Sequence, residues 1–290
     1  MPEWGMALLL AGLSALAYGI ADFSGGYAAR KSSVLSVVAL SQILGLALAL
    51  SFIAASGTPL PAPRDLLWGL AAGLAGSAGL LLLYRGLATS LVAIVSPSSA
   101  LVGALVPMAF GLALGERPSG PALAGAALCL PAVILLGSGS GDGQGADKAA
   151  ARRESRRALA FGVLAGLGFG GFFVAAARTS PASGLWPLVA ARTASIGVAL
   201  SALLASGSRP RLEKGDGPAT AVAGLADMGA NILFLLAARS GLLTLVAVVT
   251  ALYPAPTVLL GRIFLKEKVT LARAAGLVLA IVGVALLSLR

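Results

Sequence analysis

Apolar runs of about twenty residues, punctuated by short polar or Pro/Gly-rich breaks, fill almost the whole chain. Their lengths predict ten helices at 4–22, 34–55, 65–86, 90–113, 119–138, 158–178, 185–206, 218–238, 242–264 and 270–289. Runs of this kind match a hydrocarbon layer about 30 Å thick. The short alternating segments that a membrane barrel needs are missing, so the pattern predicts an all-α integral membrane protein with ten transmembrane helices. One stretch breaks the rhythm: Gly137 to Arg157, GSGSGDGQGADKAAARRESRR, is rich in glycine and charge and reads as a flexible linker. It divides the chain into a first five-helix unit, 1–138, a polar linker, 139–157, and a second five-helix unit, 158–290.

The two units read as copies. A shift of 151 residues pairs Glu116 in LALGERPS with Glu267 in IFLKEKVT, and Gly73-Leu74-Ala75 with Gly224-Leu225-Ala226. The same register pairs Ala100-Leu101 with Ala251-Leu252 and Ala124-Gly125 with Ala275-Gly276; a shift of 150 pairs Ala49-Leu50-Ser51 with Ala199-Leu200-Ser201. An odd number of spans per unit makes the second copy enter the bilayer in the opposite sense, so the expectation is two inverted repeats.

Composition agrees with a lipid solvent. The chain of 290 residues is 58% hydrophobic and 11% charged, and its mean hydropathy is +0.95. A soluble globule could not hide that much apolar surface. The net charge of +10 sits in short loops, where retention at a membrane face explains it better than nucleic acid does. By the count of Lys and Arg, about 5 fall on the side of the termini and about 15 on the other, which predicts both termini outside the cell (inner) membrane. The first apolar run, WGMALLLAGLSALAYGIA, lacks a basic leader and reads as a retained span. With Cys129 the single cysteine and no histidine, the sequence predicts no disulfide framework, no metal site and no cofactor. Nothing in it requires an oligomer.

Charge within a span is costly, by about 2.5–3.5 kcal/mol on insertion scales, and marks a bundle interior or a wet cavity. In this reading Asp227 alone lies mid-span, with Asn231 four residues on and therefore on the same helical face. The pair has two readings that stay open: a site for a substrate ammonium or a coupled proton, or an ion pair between Asp227 and Arg192 of the preceding helix. Arg192 either holds a substrate carboxylate or snorkels to the interface. Gln42, its repeat counterpart, reads as a helix-to-helix hydrogen bond or a ligand. IVSPSSALVGALVP adds Pro97, Ser96 and Ser99, and ALYPAPTVLL adds Tyr253, Pro254 and Pro256. Prolines at matching places in both halves point to a midplane site with kinked, gating helices, against the plainer reading of packing kinks. Tyr18 and Tyr253 are candidate cavity residues. Spacings such as Gly69-xxx-Gly73 allow close helix approach, and Glu116 and Glu267 read as caps of the helices that follow them.

Ten helices in two halves, a proline-containing fourth helix running into GERPSGPALAG, its echo LKEKVTLARAAG and the arginine of VAARTASIG together resemble the EamA-type proteins of the drug/metabolite transporter superfamily. The resemblance implies export or exchange of small metabolites, amino acids among them, through a central cavity between the halves. Such a secondary transporter would work by alternating access. No nucleotide-binding GxxxxGK[ST] loop is present, so a gradient would drive it. The rivals are a channel or pore, which would pass solutes without saturable exchange, and an intramembrane enzyme. The latter needs two carboxylates or a Ser with a His, whereas this reading finds one mid-span Asp and no His.

Overall fold

The computed structural model describes residues 3–89, 92–137, 148–207, 210–265 and 270–287. Within them the chain forms eleven α-helices: α1 Glu3–Ala28, α2 Val34–Ser56, α3 Pro63–Thr89, α4 Val92–Ala113, α5 Gly120–Gly137, α6 Lys148–Ala177, α7 Trp186–Ala205, α8 Gly217–Ser240, α9 Leu243–Thr250, α10 Pro254–Leu265 and α11 Leu271–Leu287. A single 3-10 turn, Pro181–Ser183, precedes α7. Seven stretches are long and apolar enough to cross a membrane, one of them running through α9 and α10. Three further apolar helices are shorter: Ser98–Ala113, Gly120–Leu135 and Ala274–Leu286.

Three boundaries differ from the sequence expectation. Helix α1 runs on to Ala28, because Phe23-Ser24-Gly25-Gly26 contains no proline and nothing stops the backbone ladder at Asp22. Helix α6 starts at Lys148, so the second half of the expected linker is helical; KAAARRESRR is made almost wholly of strong helix formers. The rest of the linker lies outside the described residues. The expected ninth helix is broken. Pro254 has no N–H for the carbonyl of Thr250, which instead accepts the N–H of Tyr253 at 3.2 Å, and the carbonyl of Leu252 turns to the N–H of Ala255 at 2.9 Å.

The principal contacts join one half to the other. Helix α1 packs on α8 and α6 on α3; α2 packs on α8 and α7 on α3; α4 packs on α6, and α9 and α10 on α1. Exchanging each helix for its counterpart returns the same set, with α2·α7, α4·α9 and α5·α11 each meeting its own partner. The buried positions are largely alanine, while Leu9, Leu13 and Leu16 of α1 and many other large aliphatic side chains face outward. In lipid, apolar bulk gains nothing by turning inward, so small residues that let backbones approach take the interior.

The glycine crossings carry the same symmetry. Gly73 of α3 backs onto the carbonyl of Ala191 in α7, and Gly224 of α8 backs onto the carbonyl of Ser41 in α2; a Cβ at either would overlap backbone. The glycines are 151 residues apart and their partners 150, the two shifts read from the sequence. At the ends of the bundle, Asp65 accepts the N–H of Ser180 at 2.8 Å, and Asp216, also 151 residues on, accepts the hydroxyl of Ser32 at 2.6 Å. Arg239, in the last turn of α8, donates to the Gly184 carbonyl at 3.0 Å and the Ser180 carbonyl at 2.9 Å, fixing the segment before α7. Glu116 is a cap, but of α9: its two carboxylate oxygens accept the N–H groups of Leu243 and Thr244, each at 2.8 Å. The packing of α4 against α9 decides this, since it brings the end of α4 to the open donors of α9 rather than to α5. Glu267 lies outside the described residues.

Candidate functional site

The polar side chains meet where four helices from both halves converge. Asp227 and Asn231 stand one turn apart on α8, as their spacing dictates. Arg192, only 8% exposed, reaches from α7 and makes two bonds with one guanidinium: Nη1 donates to Oε1 of Gln42 on α2, and Nη2 forms an ion pair with Oδ2 of Asp227. Asn231 donates from Nδ2 to the backbone carbonyl of Asp227 at 2.7 Å and accepts, at Oδ1, the hydroxyl of Tyr18 on α1 at 2.9 Å. The result is one chain of bonds, Gln42–Arg192–Asp227–Asn231–Tyr18, that threads α2, α7, α8 and α1.

Aromatic rings extend it. The ring of Tyr18 lies 6.2 Å from Phe173 of α6 and 6.3 Å from Tyr253, which occupies the break between α9 and α10. Phe173 in turn lies 4.3 Å from Phe234. The break is held by Thr257, whose hydroxyl donates to the carbonyls of Tyr253 at 3.0 Å and Gly19 at 3.2 Å. Gly19 is required there, because a Cβ would overlap the ring of Pro256.

Of the residues singled out from sequence, Gln42, Arg192, Asp227, Asn231, Tyr18 and Tyr253 thus come together. Arg192 does not snorkel; it is enclosed and turned inward. The ion-pair geometry is present at Asp227, with 30% of its side chain exposed against 9% for Arg192. Ser99 is not part of the network: it is fully buried, and its hydroxyl has no hydrogen-bond partner among the described residues, a property shared by Thr250, its counterpart 151 residues on. The side chains of Ser96 and Pro97 lie outside the described residues. Pro254 opens α10 and Pro256 packs on α1, so both shape the break rather than line the bond chain.

The sequence reading missed Asp22, Phe173 and Phe234. The expected bounds 4–22 put Asp22 at a helix end; with α1 extended it lies inside the span Gly5–Ala28, so Asp227 is not the lone carboxylate within a span. Its i, i+4 relation to Tyr18 was the available signal. Among the described residues no three of His, Cys, Asp and Glu converge as a metal would require, and Cys129 is a free, buried thiol.

A many-helix membrane protein built from two matching halves, with a charged network held between them, belongs to the transporter type. Its sequence matches the family described as "EamA-like transporter family" twice, over residues 5–138 and over 156–289. The two matches begin and end 151 residues apart, so each half is one family unit, and the chain belongs to this family, within the drug/metabolite transporter superfamily. No curated protein matches the sequence. A solved structure described only as "Crystal structure of protein" has a TM-score of 0.76 to this chain, with 19% identity over 97% of this chain and 96% of that one. That likeness concerns the fold.

Proposed function

We propose that the protein is a secondary transporter, an exporter of small metabolites such as amino acids, working by alternating access between two inverted five-helix repeats. The ten spans would lie in the cell (inner) membrane with both termini outside, as the distribution of Lys and Arg favours. The observation that carries the reading is the mid-span chain Gln42–Arg192–Asp227–Asn231–Tyr18, contributed by both halves of a transporter-family protein. Polar bonds that cross between half-bundles at depth can be exchanged for bonds to a solute, and their loss and recovery would accompany rocking of one half against the other. The break between α9 and α10, with Tyr253 at its edge, supports a site at that level, since discontinuous helices serve such sites in transporters. An aspartyl enzyme is disfavoured even with Asp22 in the span, because Asp227 is bonded to a guanidinium rather than free to share a proton with a second carboxylate.

Reconstitution in liposomes tests this. Counterflow of amino acids and organic amines would be measured for the wild type and for Asp227→Asn under imposed pH gradients. Saturable exchange of at least one solute is expected, and Asp227→Asn should lose it or its response to pH. Flux that never saturates would identify a pore, and no exchange of any solute would sink the transporter reading.

A further inference from the structure

Asp22 is exposed, yet it does not lie on the outward face of α1. That face is marked by Met6, Leu9, Leu13 and Leu16, all exposed. Asp22 instead continues the series Ala11, Ala15, Tyr18, with steps of four, three and four, and Ala11 and Ala15 of that series are buried against the rest of the protein. A carboxylate on the inward face of a membrane helix faces the bundle interior or a wet cleft within it rather than lipid. Asp22 stands one turn from Tyr18 on the same face of α1, and Tyr18 ends the bond chain described above.

The charges of this cleft do not balance. Asp227 is neutralised by Arg192, which also donates to Gln42. Asp22 forms no hydrogen bond or ion pair among the described residues. Of the other charged side chains on the helices packed against α1, Arg239 is committed to the segment before α7, and Arg262 of α10 is exposed and unpaired with Asp22. One carboxylate therefore stands unmatched among the described residues of the span, one turn from Tyr18, whose ring meets those of Tyr253 and Phe173. A carboxylate one turn from an aromatic cluster is suited to an ammonium group, which gains both ion pairing and attraction to the rings. A zwitterion is served less well, because the charge of Arg192 is already balanced by Asp227 and its carboxylate would lack a counter-charge.

We propose that Asp22 recognises a single positive charge on the transported molecule, so that the substrate class is small organic monocations carrying an ammonium group. This rests on the transporter reading above and narrows its small metabolites to amines, with zwitterionic amino acids the poorer substrates.

The test uses three solutes of matched ring and chain length: phenethylamine, phenylalanine and 3-phenylpropionate, with net charges of +1, 0 and −1. Binding is measured on the full-length protein in detergent, and counterflow in liposomes. Phenethylamine should bind about tenfold more tightly than phenylalanine, and 3-phenylpropionate should not bind. Asp22→Asn should weaken phenethylamine binding about tenfold or more without changing the melting temperature, and Asp22→Glu should restore most of it. Three results would each overturn the assignment: failure of phenethylamine to bind the wild type, preference for the anion, or wild-type binding by Asp22→Asn. If that variant binds normally and loses only its response to a pH gradient, Asp22 carries a proton and the assignment is likewise wrong. Asp22-dependent binding without counterflow would retain the site and discard the transporter reading; counterflow indifferent to Asp22 would do the reverse.

Discussion

Arg192 donates a hydrogen bond to Gln42, a residue 150 positions earlier that is its own counterpart in the other half of the chain. Equivalent residues of two repeats can bond to each other only where the repeats meet about a common axis. The bond therefore lies on the seam between the two halves, and the ion pair to Asp227 joins the asymmetric part of the site to it. Under the 151-residue register the counterpart of Asp227 is Gly76 and that of Asn231 is Leu80, so only the second half supplies these groups.

Removing one member of the central pair should cost more than removing both. Arg192→Ala leaves Asp227 without its cation and Gln42 without its donor, and is expected to destabilise by about 1–3 kcal/mol, less than for a fully dry pair because Asp227 is part exposed. Thermal melting in detergent of Arg192→Ala, Asp227→Ala and the double variant forms the check. Losses that simply add would show that the two side chains do not support each other.

The paired glycine crossings predict equal sensitivity at distant positions. Gly73→Ala and Gly224→Ala should each cost about 1–3 kcal/mol, since the added carbon meets the backbone at Ala191 and at Ser41. Gly12 and Gly229 have open space where a Cβ would stand, and alanine at either should be neutral or stabilise by about 0.5–1 kcal/mol. Melting temperatures of the four variants decide it; a tolerant Gly224 beside an intolerant Gly73 would break the symmetry argument.

Glu116 should protect the start of α9. Glu116→Ala is expected to lose about 1–2 kcal/mol and to speed hydrogen exchange at the amides of Leu243 and Thr244, whereas α5 should exchange as before. Faster exchange at the start of α5 instead would return Glu116 to the role its sequence position suggests.

Orientation can be read with single cysteines in a Cys129→Ala background. Gly120 and Ser33 are both exposed and lie at opposite ends of the bundle, after α4 and before α2. If the termini are outside, a membrane-impermeant maleimide should label Gly120→Cys in intact cells and Ser33→Cys only after permeabilisation. The reverse pattern would put the termini in the cytoplasm.

Much of this protein was legible before any coordinates. Long apolar runs give helices in lipid because every backbone group must be satisfied within the segment, and local sequence is enough to decide that. The break at Pro254 and the extension of α1 past Asp22 were harder. A proline kinks some membrane helices and interrupts others, depending on whether the freed carbonyls find other donors, as those of Thr250 and Leu252 do in the N–H groups of Tyr253 and Ala255. A carboxylate near the expected end of a run looks like an interfacial residue until the helix is seen to continue.

The sequence by itself determined the helical membrane class, the internal repeat with its 151-residue register, and the polar identity of Asp227, Asn231, Arg192 and Gln42, because each depends on residue type and spacing along one chain. Helix packing, in contrast, settled that Arg192 bonds to both Gln42 and Asp227, that Glu116 caps α9 instead of α5, and that Asp22, on the inward face of α1, has no partner among the described residues. Those outcomes turn on which helices lie side by side and how each is rotated about its axis. In a lipid solvent, apolar periodicity fixes that rotation weakly, and close packing of small residues between the two halves settles it.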